Sequence, residues 1–176
     1  MAQTDSSQTS EPQGSAAQVY VSIGSNIDRV KNSKAAIFEL EKRFGELTLS
    51  SIYEAESVGY EGENYYNFVA GFKTDLSVGE LSKTLKQIEA DYGRKPNTPI
   101  KAGRIIDIDI LTYDDLVGMI DGVELPRGEI TKNAYVLLPL SEVAGPEVHP
   151  LTDKSYQQLW LDYDSQKQKL WVVDLG

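Results

Sequence analysis

A chain of 176 residues with 40% apolar content has enough material to bury one sizeable core, and its length fits one domain better than two. A formal net charge of −10 repels phosphate backbones and anionic lipid surfaces, so nucleic acid and membrane are poor partners, and any anionic substrate needs local basic groups or metal ions. With no Cys in the chain, disulfides, zinc–thiolate sites and thiol nucleophiles are excluded, and a cytoplasmic, reducing location is the simpler expectation.

Residues 1–18 are rich in Ser, Gln, Thr and Ala, lack the apolar run of a signal-peptide core and offer little surface to bury. They read as a disordered tail ahead of one domain over residues 19–176. From Val19 to Ile23, VYVSI reads as a strand broken by Gly24, Ser25 and Asn26. Asp28 is placed to cap the helix that follows, in which Val30, Ile37, Leu40 and Phe44 recur at helical spacing before Gly45. Residues 47–53 and 65–72 read as strands separated by the loop SVGYEGEN. Ser77 and Glu80 form a capping-box pattern, and Leu81, Leu85, Ile88 and Tyr92 make one apolar stripe that ends at Gly93.

The next segment, RKPNTPIKAGR, gathers Arg94, Lys95, Lys101 and Arg104 with two prolines and no regular period, a basic loop in an acidic protein. Residues 105–111 read as a strand, and a helix is expected around residues 134–143. The order βα, ββα, β predicts an α+β fold with a ferredoxin-like core, a mostly antiparallel sheet with helices packed on its faces.

In RIIDIDIL, Asp107 and Asp109 sit two apart, so a strand would project both carboxylates from one face, about 7 Å apart at Cα. Ile106, Ile108 and Ile110 take the other face. Asp is depleted in strands and costly to bury unpaired, so the pair calls for a compensating charge. Hard carboxylate oxygens suit Mg²⁺, which takes one or two carboxylates and completes its shell with water and substrate phosphates. Phosphoryl-type transfer also needs Arg or Lys against the developing charge, and the basic loop lies immediately upstream. A solvent-facing strand whose two Asp pair with nearby Lys fits the same short pattern. Because side chains alternate, Arg104 reaches the Asp face only if it precedes the regular strand or a bulge turns it. Asn67 stands out as an amide inside an apolar strand, where it needs partners. The single histidine, His149, reads as structural, and Trp160 and Trp171 as apolar plugs over the sheet.

The run KAGRIIDIDIL resembles the signature of the 6-hydroxymethyl-7,8-dihydropterin pyrophosphokinase family. YVSIGSN at residues 20–26, YYNFV at 65–69, IEADYGR at 88–94 and NAYVLLPLSEVAGPEVHP at 133–150 resemble further family segments in the family's order. The resemblance implies transfer of pyrophosphate from ATP to the hydroxymethyl group of the pterin, yielding AMP, in folate biosynthesis. It implies a monomeric Mg-dependent diphosphotransferase with two Mg²⁺ ions held by Asp107 and Asp109 and ATP as co-substrate. Arg94 and Arg104 then fall at phosphate-contacting, catalytic positions. Glu89, Lys101, Ile110 and Arg127 fall on the nucleotide side. Ala55, Val58, Tyr65, Asn67 and Tyr135 fall around the pterin, with the two tyrosines sandwiching its ring and Asn67 reading its polar edge.

The chain also departs from the family. Lys101 stands where Trp is frequent, Pro96 where a second loop Arg is common, Arg127 where His is usual, and Asn133 where an Arg precedes the aromatic residue. Lys95 and Lys132 are the neighbours available to compensate, although a Lys offers a point charge and not a bidentate fork. The competing expectation is therefore a degenerate homologue that binds pterin, or regulates a partner, without turnover. A ferredoxin-like RNA-binding module is disfavoured by the net charge and by two Asp on a would-be platform strand.

Overall fold

A computed structural model describes residues 16–56, 63–95, 97, 99 and 103–176. In chain order the elements are β1 (Ala17–Ser25), α1 (Arg29–Phe44), β2 (Thr48–Leu49), β3 (Ile52–Ala55), β4 (Tyr65–Thr74), α2 (Val78–Asp91) and β5 (Asp107–Tyr113). A hairpin of β6 (Gly118–Ile120) and β7 (Val123–Leu125) follows, then a 3-10 helix (Gly128–Thr131), α3 (Ala134–Ala144), α4 (Tyr156–Asp162) and β8 (Leu170–Val173). The main sheet runs β5-β1-β4-β3-β8 with β2 beside β4, and its pairings are antiparallel. This is the expected α+β, ferredoxin-like arrangement, extended by β8 at one edge.

Alternation along the strands divides the interior in two. Val19, Val21 and Ile23 of β1, Phe68, Ala70 and Phe72 of β4, and Ile108 and Ile110 of β5 face α1 and α2. Tyr20, Val69 and Leu111 face α3 and α4, where Val136, Leu137 and Leu140 meet them. Fully burying a side chain such as Phe68 or Leu40 contributes about 1.5–3 kcal/mol. The second face is filled by α3 and α4 over only part of its length. Beyond Tyr20 and Val69 the same face carries Ser22, Gly24, Asn67, Asp107 and Asp109, brought side by side by register: Gly24 pairs with both Asn67 and Asp107, and Ser22 with Asp109.

The helices form largely as expected. Ser77 accepts from the Glu80 N–H at 3.2 Å while Glu80 accepts from the Ser77 N–H at 2.9 Å, a full capping box on α2 worth ~1 kcal/mol. Leu81, Leu85 and Ile88 are buried beneath it. His149 is buried, its Nδ1 accepting from the Leu151 N–H at 3.1 Å, which fits a structural role.

Several expectations need correction. The first strand begins at Ala17, so Ala17 and Gln18 belong to the folded domain: the Gln18 N–H donates to Asp114 and the pair of residues continues the β4 register. Asp28 occupies the N-cap position of α1 at φ 43° without a capping side-chain bond. The buried face of α1 is Asn32, Ser33, Ala36 and Leu40, while Val30 is exposed. Residues 47–53 divide into β2 and β3, and the residue 105–111 strand begins two residues later, at Asp107. Trp171 is half exposed on the edge strand β8, where its indole N–H donates to Glu54. Trp160, as expected, packs against the apolar cluster on the sheet, where it stacks on Tyr163. Most of the loop at 57–64 and of the basic loop at 96–102 lies outside the described residues.

Candidate active site

The uncovered end of the sheet face opens into a cavity of about 530 Å³. β1 supplies Ser22 and Gly24, β4 supplies Tyr65 and Asn67, and β5 supplies Asp107 and Asp109. Arg94 and Arg104 enter from the two ends of the basic loop, and Ala55 from β3. Arg127, Glu129, Asn133 and Tyr135 close the far side. Gly24 keeps the floor open, since a Cβ there would stand 3.2 Å from the Asn67 Oδ1, a tight contact, and 3.5 Å from the Tyr65 ring.

Asp107 and Asp109 project from one face, as the spacing predicts, with Ile108 and Ile110 buried on the other. Arg94 donates to Asp107 at 2.8 Å and also pairs with Glu89 at 3.1 Å. Arg127 lies 3.8 Å from Asp109. The Asp109 carboxyl is pushed up to about 7, first by burial and then by the negative charge of Asp107, which Arg127 offsets only in part. Each carboxylate thus has one arginine partner, yet the charge of Asp107 still weighs on Asp109. Among the described residues no group of three or more His, Cys, Asp or Glu side chains gathers as a metal site. A bare pair of carboxylates does not make a closed cage, but it fits Mg²⁺, which keeps waters and takes further oxygens from phosphates.

Arg104 precedes β5, which resolves the alternation problem: it is not bound to the Asp-bearing strand's phase. Asn26 fixes it, accepting from the Arg104 N–H at 2.7 Å and donating its own N–H to the Arg104 carbonyl at 3.0 Å. The Asn26 side-chain amide also donates to the Glu63 carbonyl at 3.2 Å, so one buried side chain ties Glu63 to Arg104. Asn26 was visible in the sequence only as a turn residue.

Of the residues the resemblance implicates, Arg94, Arg104, Arg127, Ala55, Tyr65, Asn67, Tyr135, Asp107 and Asp109 all line this cavity. Glu89 does not. It lies buried on α2, accepts from the Ile108 N–H at 2.7 Å and has its carboxyl pushed up to about 7, chiefly by burial. Ile110 does not line it either; its side chain packs in the α1/α2 core, because strand alternation turns it away from Asp109. Val58, Lys101 and Pro96 lie outside the described residues. Asn67 is half-buried at the cavity wall.

Lys95 and Lys132 are exposed and are not among the lining residues, whereas Lys167 and Lys169 are. These two cations come from the segment before β8, which carries no motif in the sequence. That segment also braces the site: the Gln168 side chain accepts from the Ala134 N–H at 2.8 Å, capping α3 where Asn133 makes no cap of its own. Its backbone joins the opposite wall, Glu56 N–H to Lys169 carbonyl at 3.4 Å. Glu129 is the other residue that went unmarked, since an isolated Glu in a loop has no distinguishing pattern.

Comparison with known proteins matches residues 20–145 to the family described as 7,8-dihydro-6-hydroxymethylpterin-pyrophosphokinase (HPPK). The chain is 35% identical over 145 residues to the 2-amino-4-hydroxy-6-hydroxymethyldihydropteridine pyrophosphokinase of Aquifex aeolicus, covering 81% of this chain and 89% of that one. It is 36% identical over 138 residues to the enzyme of the same name from Porphyromonas gingivalis, covering 75% of this chain and 93% of that one. It is 37% identical over 134 residues to the folic acid synthesis protein FOL1 of Dictyostelium discoideum, where the match spans 75% of this chain but only 20% of the larger protein. Among solved structures, Plasmodium falciparum HPPK-DHPS aligns with a TM-score of 0.68 at 15% identity, over 86% of this chain and 44% of that one, which establishes the shared fold.

Proposed function

The chain belongs to the 7,8-dihydro-6-hydroxymethylpterin-pyrophosphokinase family, and from that premise we propose that it transfers pyrophosphate from ATP to 6-hydroxymethyl-7,8-dihydropterin in folate biosynthesis. The observation that carries this reading is the meeting, in one cavity, of a carboxylate pair, three arginines and a wall of Tyr65, Asn67 and Tyr135.

The hydroxymethyl oxygen of the pterin attacks the β-phosphorus of ATP. A bond forms between that oxygen and Pβ, the bridge from Pβ to the α-phosphate oxygen breaks, and AMP leaves with the electron pair while the hydroxyl proton is lost. Little covalent work falls to the protein, so catalysis is positioning and charge stabilisation. Asp107 and Asp109 would hold the Mg²⁺ ions. Bound there, Mg²⁺ would neutralise charge on the transferred phosphates. Arg94 and Arg127 now pair with these carboxylates and stand close enough to pass to phosphate oxygens as those arrive. Arg104 flanks them, its backbone fixed by Asn26. On the substrate side, Tyr65 and Tyr135 offer aromatic faces and Asn67 an amide that matches a heterocycle's donor and acceptor edge.

Lys167 and Lys169 add positive charge to the same cavity, which favours turnover over binding alone. The test is AMP release from ATP that depends on both Mg²⁺ and the pterin. No AMP above the pterin-free background would leave the non-catalytic reading.

A further inference from the structure

We propose that Glu129 couples the two substrate sides of the cavity, one carboxylate oxygen holding Arg127 on the nucleotide side and the other holding Asn133 and Tyr135 on the pterin side. The inference rests on the site reading given above and deepens it. The Arg127 Nε donates to Glu129 Oε1 at 2.6 Å. The Asn133 amide donates to Glu129 Oε2 at 3.1 Å and to the Tyr135 hydroxyl oxygen at 3.0 Å, and the Tyr135 hydroxyl itself lies 3.5 Å from Oε2. All four side chains line the cavity.

The backbone makes this arrangement stiff. The Lys132 and Asn133 N–H groups both donate to the Glu129 carbonyl, at 3.0 and 2.9 Å, so Glu129 and Asn133 share one tight turn. The Arg127 N–H donates to the Leu111 carbonyl at 2.9 Å, which ties the other end to β5 two residues beyond Asp109. A continuous chain of contacts therefore runs Asp109, Arg127, Glu129, Asn133, Tyr135. It joins the carboxylate pair to the aromatic wall without either substrate having to touch the other's residues.

Charge gives the chain a direction. An arriving triphosphate, with several negative charges on one ligand, competes with Glu129 for the Arg127 guanidinium. Glu129 is then left with the Asn133 amide and the Tyr135 hydroxyl as its near donors, and its bonds to them tighten. Tyr135 becomes fixed at the wall against which the pterin ring lies, so the pterin meets a preformed surface and pays less ordering entropy. Coupling of binding free energies is reciprocal, so the pterin tightens the nucleotide by the same factor. Glu129 touches neither reacting group in this scheme and acts as a positioning residue.

Calorimetry tests this with 6-hydroxymethyl-7,8-dihydropterin, titrated with and without Mg²⁺ and α,β-methylene-ATP, an analogue whose α–β bridge does not break. In the parent the analogue should tighten the pterin by about fivefold or more, within the usual range for coupled sites. Glu129→Gln keeps a polar side chain of the same shape but drops the charge that Arg127 and the phosphates compete over. Its ratio should fall below about twofold at an unchanged melting temperature, and Glu129→Asp, which restores the charge, should recover part of the effect. A parent that binds both ligands without coupling, or a Glu129→Gln variant with the parent's ratio, overturns the inference alone. A parent that binds neither ligand removes the pterin and nucleotide reading and this inference with it.

Discussion

The Glu89 carboxylate on α2 accepts the Ile108 N–H at 2.7 Å, and through that bond the helix holds the strand residue that separates Asp107 from Asp109. β5 is an edge of the sheet, where an unpaired N–H is a liability, and Glu89 satisfies it from below. A residue the resemblance places on the nucleotide side thus acts on the site through the backbone.

Glu89→Ala should therefore lower stability by about 1–3 kcal/mol, the usual cost of leaving a buried donor unmet, and should lower turnover by disordering the carboxylate pair. The Glu89 and Asp109 carboxyls both sit near 7 in the folded protein, well above their ordinary values. A carboxyl whose pKa is raised by folding binds its proton more tightly in the native state, so it adds stability at low pH that is lost as pH rises from about 4.5 through about 7. Metal-free protein should melt higher at mildly acidic pH than at pH above 7, and Glu89→Gln should flatten that slope. Thermal melts across this pH window, without added Mg²⁺, check both points.

Asp109→Asn should abolish AMP formation and at the same time raise the melting temperature of the metal-free protein above pH 7, because it removes one of two crowded like charges. Asp107→Asn should also abolish turnover, while reducing the 2.8 Å ion pair with Arg94 to a hydrogen bond with a neutral acceptor. Paired activity and melting measurements decide: a variant that keeps AMP release sinks the metal assignment.

Gly24 and Asn67 should behave as one unit on the pterin side. Asn67→Ala removes the amide and should weaken pterin binding by about 1–3 kcal/mol with little change for ATP. Gly24→Ala leaves the amide but places a methyl group 3.2 Å from its oxygen, so it should weaken the pterin while the fold persists. Calorimetric losses that are equal for both ligands would make Asn67 a fold residue.

Deleting residues 1–15 and deleting residues 1–18 should have different consequences. The longer deletion removes Ala17 and Gln18, which pair with Thr74 and Lys73 and anchor Asp114, so it should melt lower than the shorter one. Equal melting temperatures would return the boundary to Gln18.

What was legible in the sequence follows from what a linear pattern encodes. The apolar stripe of α2, its capping box and the alternation of Asp and Ile across β5 all express a period, and the structure keeps each of them. Alternation also poses the Arg104 question, which the placement of Arg104 ahead of β5 answers. The same alternation that exposes Asp109 turns the Ile110 side chain into the core. Asn26 and Gln168 are not legible because each acts across the fold, Gln168 reaching an N–H 34 positions away in the chain, whereas Glu129 acts locally but shows no periodic pattern. A polar, Ala-rich composition hides Ala17 and Gln18 as the first residues of a strand, because their pairing partners lie 57 and 55 positions downstream, at Thr74 and Lys73.

The most direct measurement follows separate phosphorus labels from ATP in the presence of Mg²⁺ and 6-hydroxymethyl-7,8-dihydropterin. Pyrophosphate transfer predicts that an α-phosphate label appears in AMP and that β- and γ-phosphate labels appear together on the pterin, in equal amounts. A γ-label alone on the pterin with the α-label left in ADP would mean ordinary phosphoryl transfer, and no label on the pterin at all would mean that the cavity binds without catalysis; either result contradicts the account.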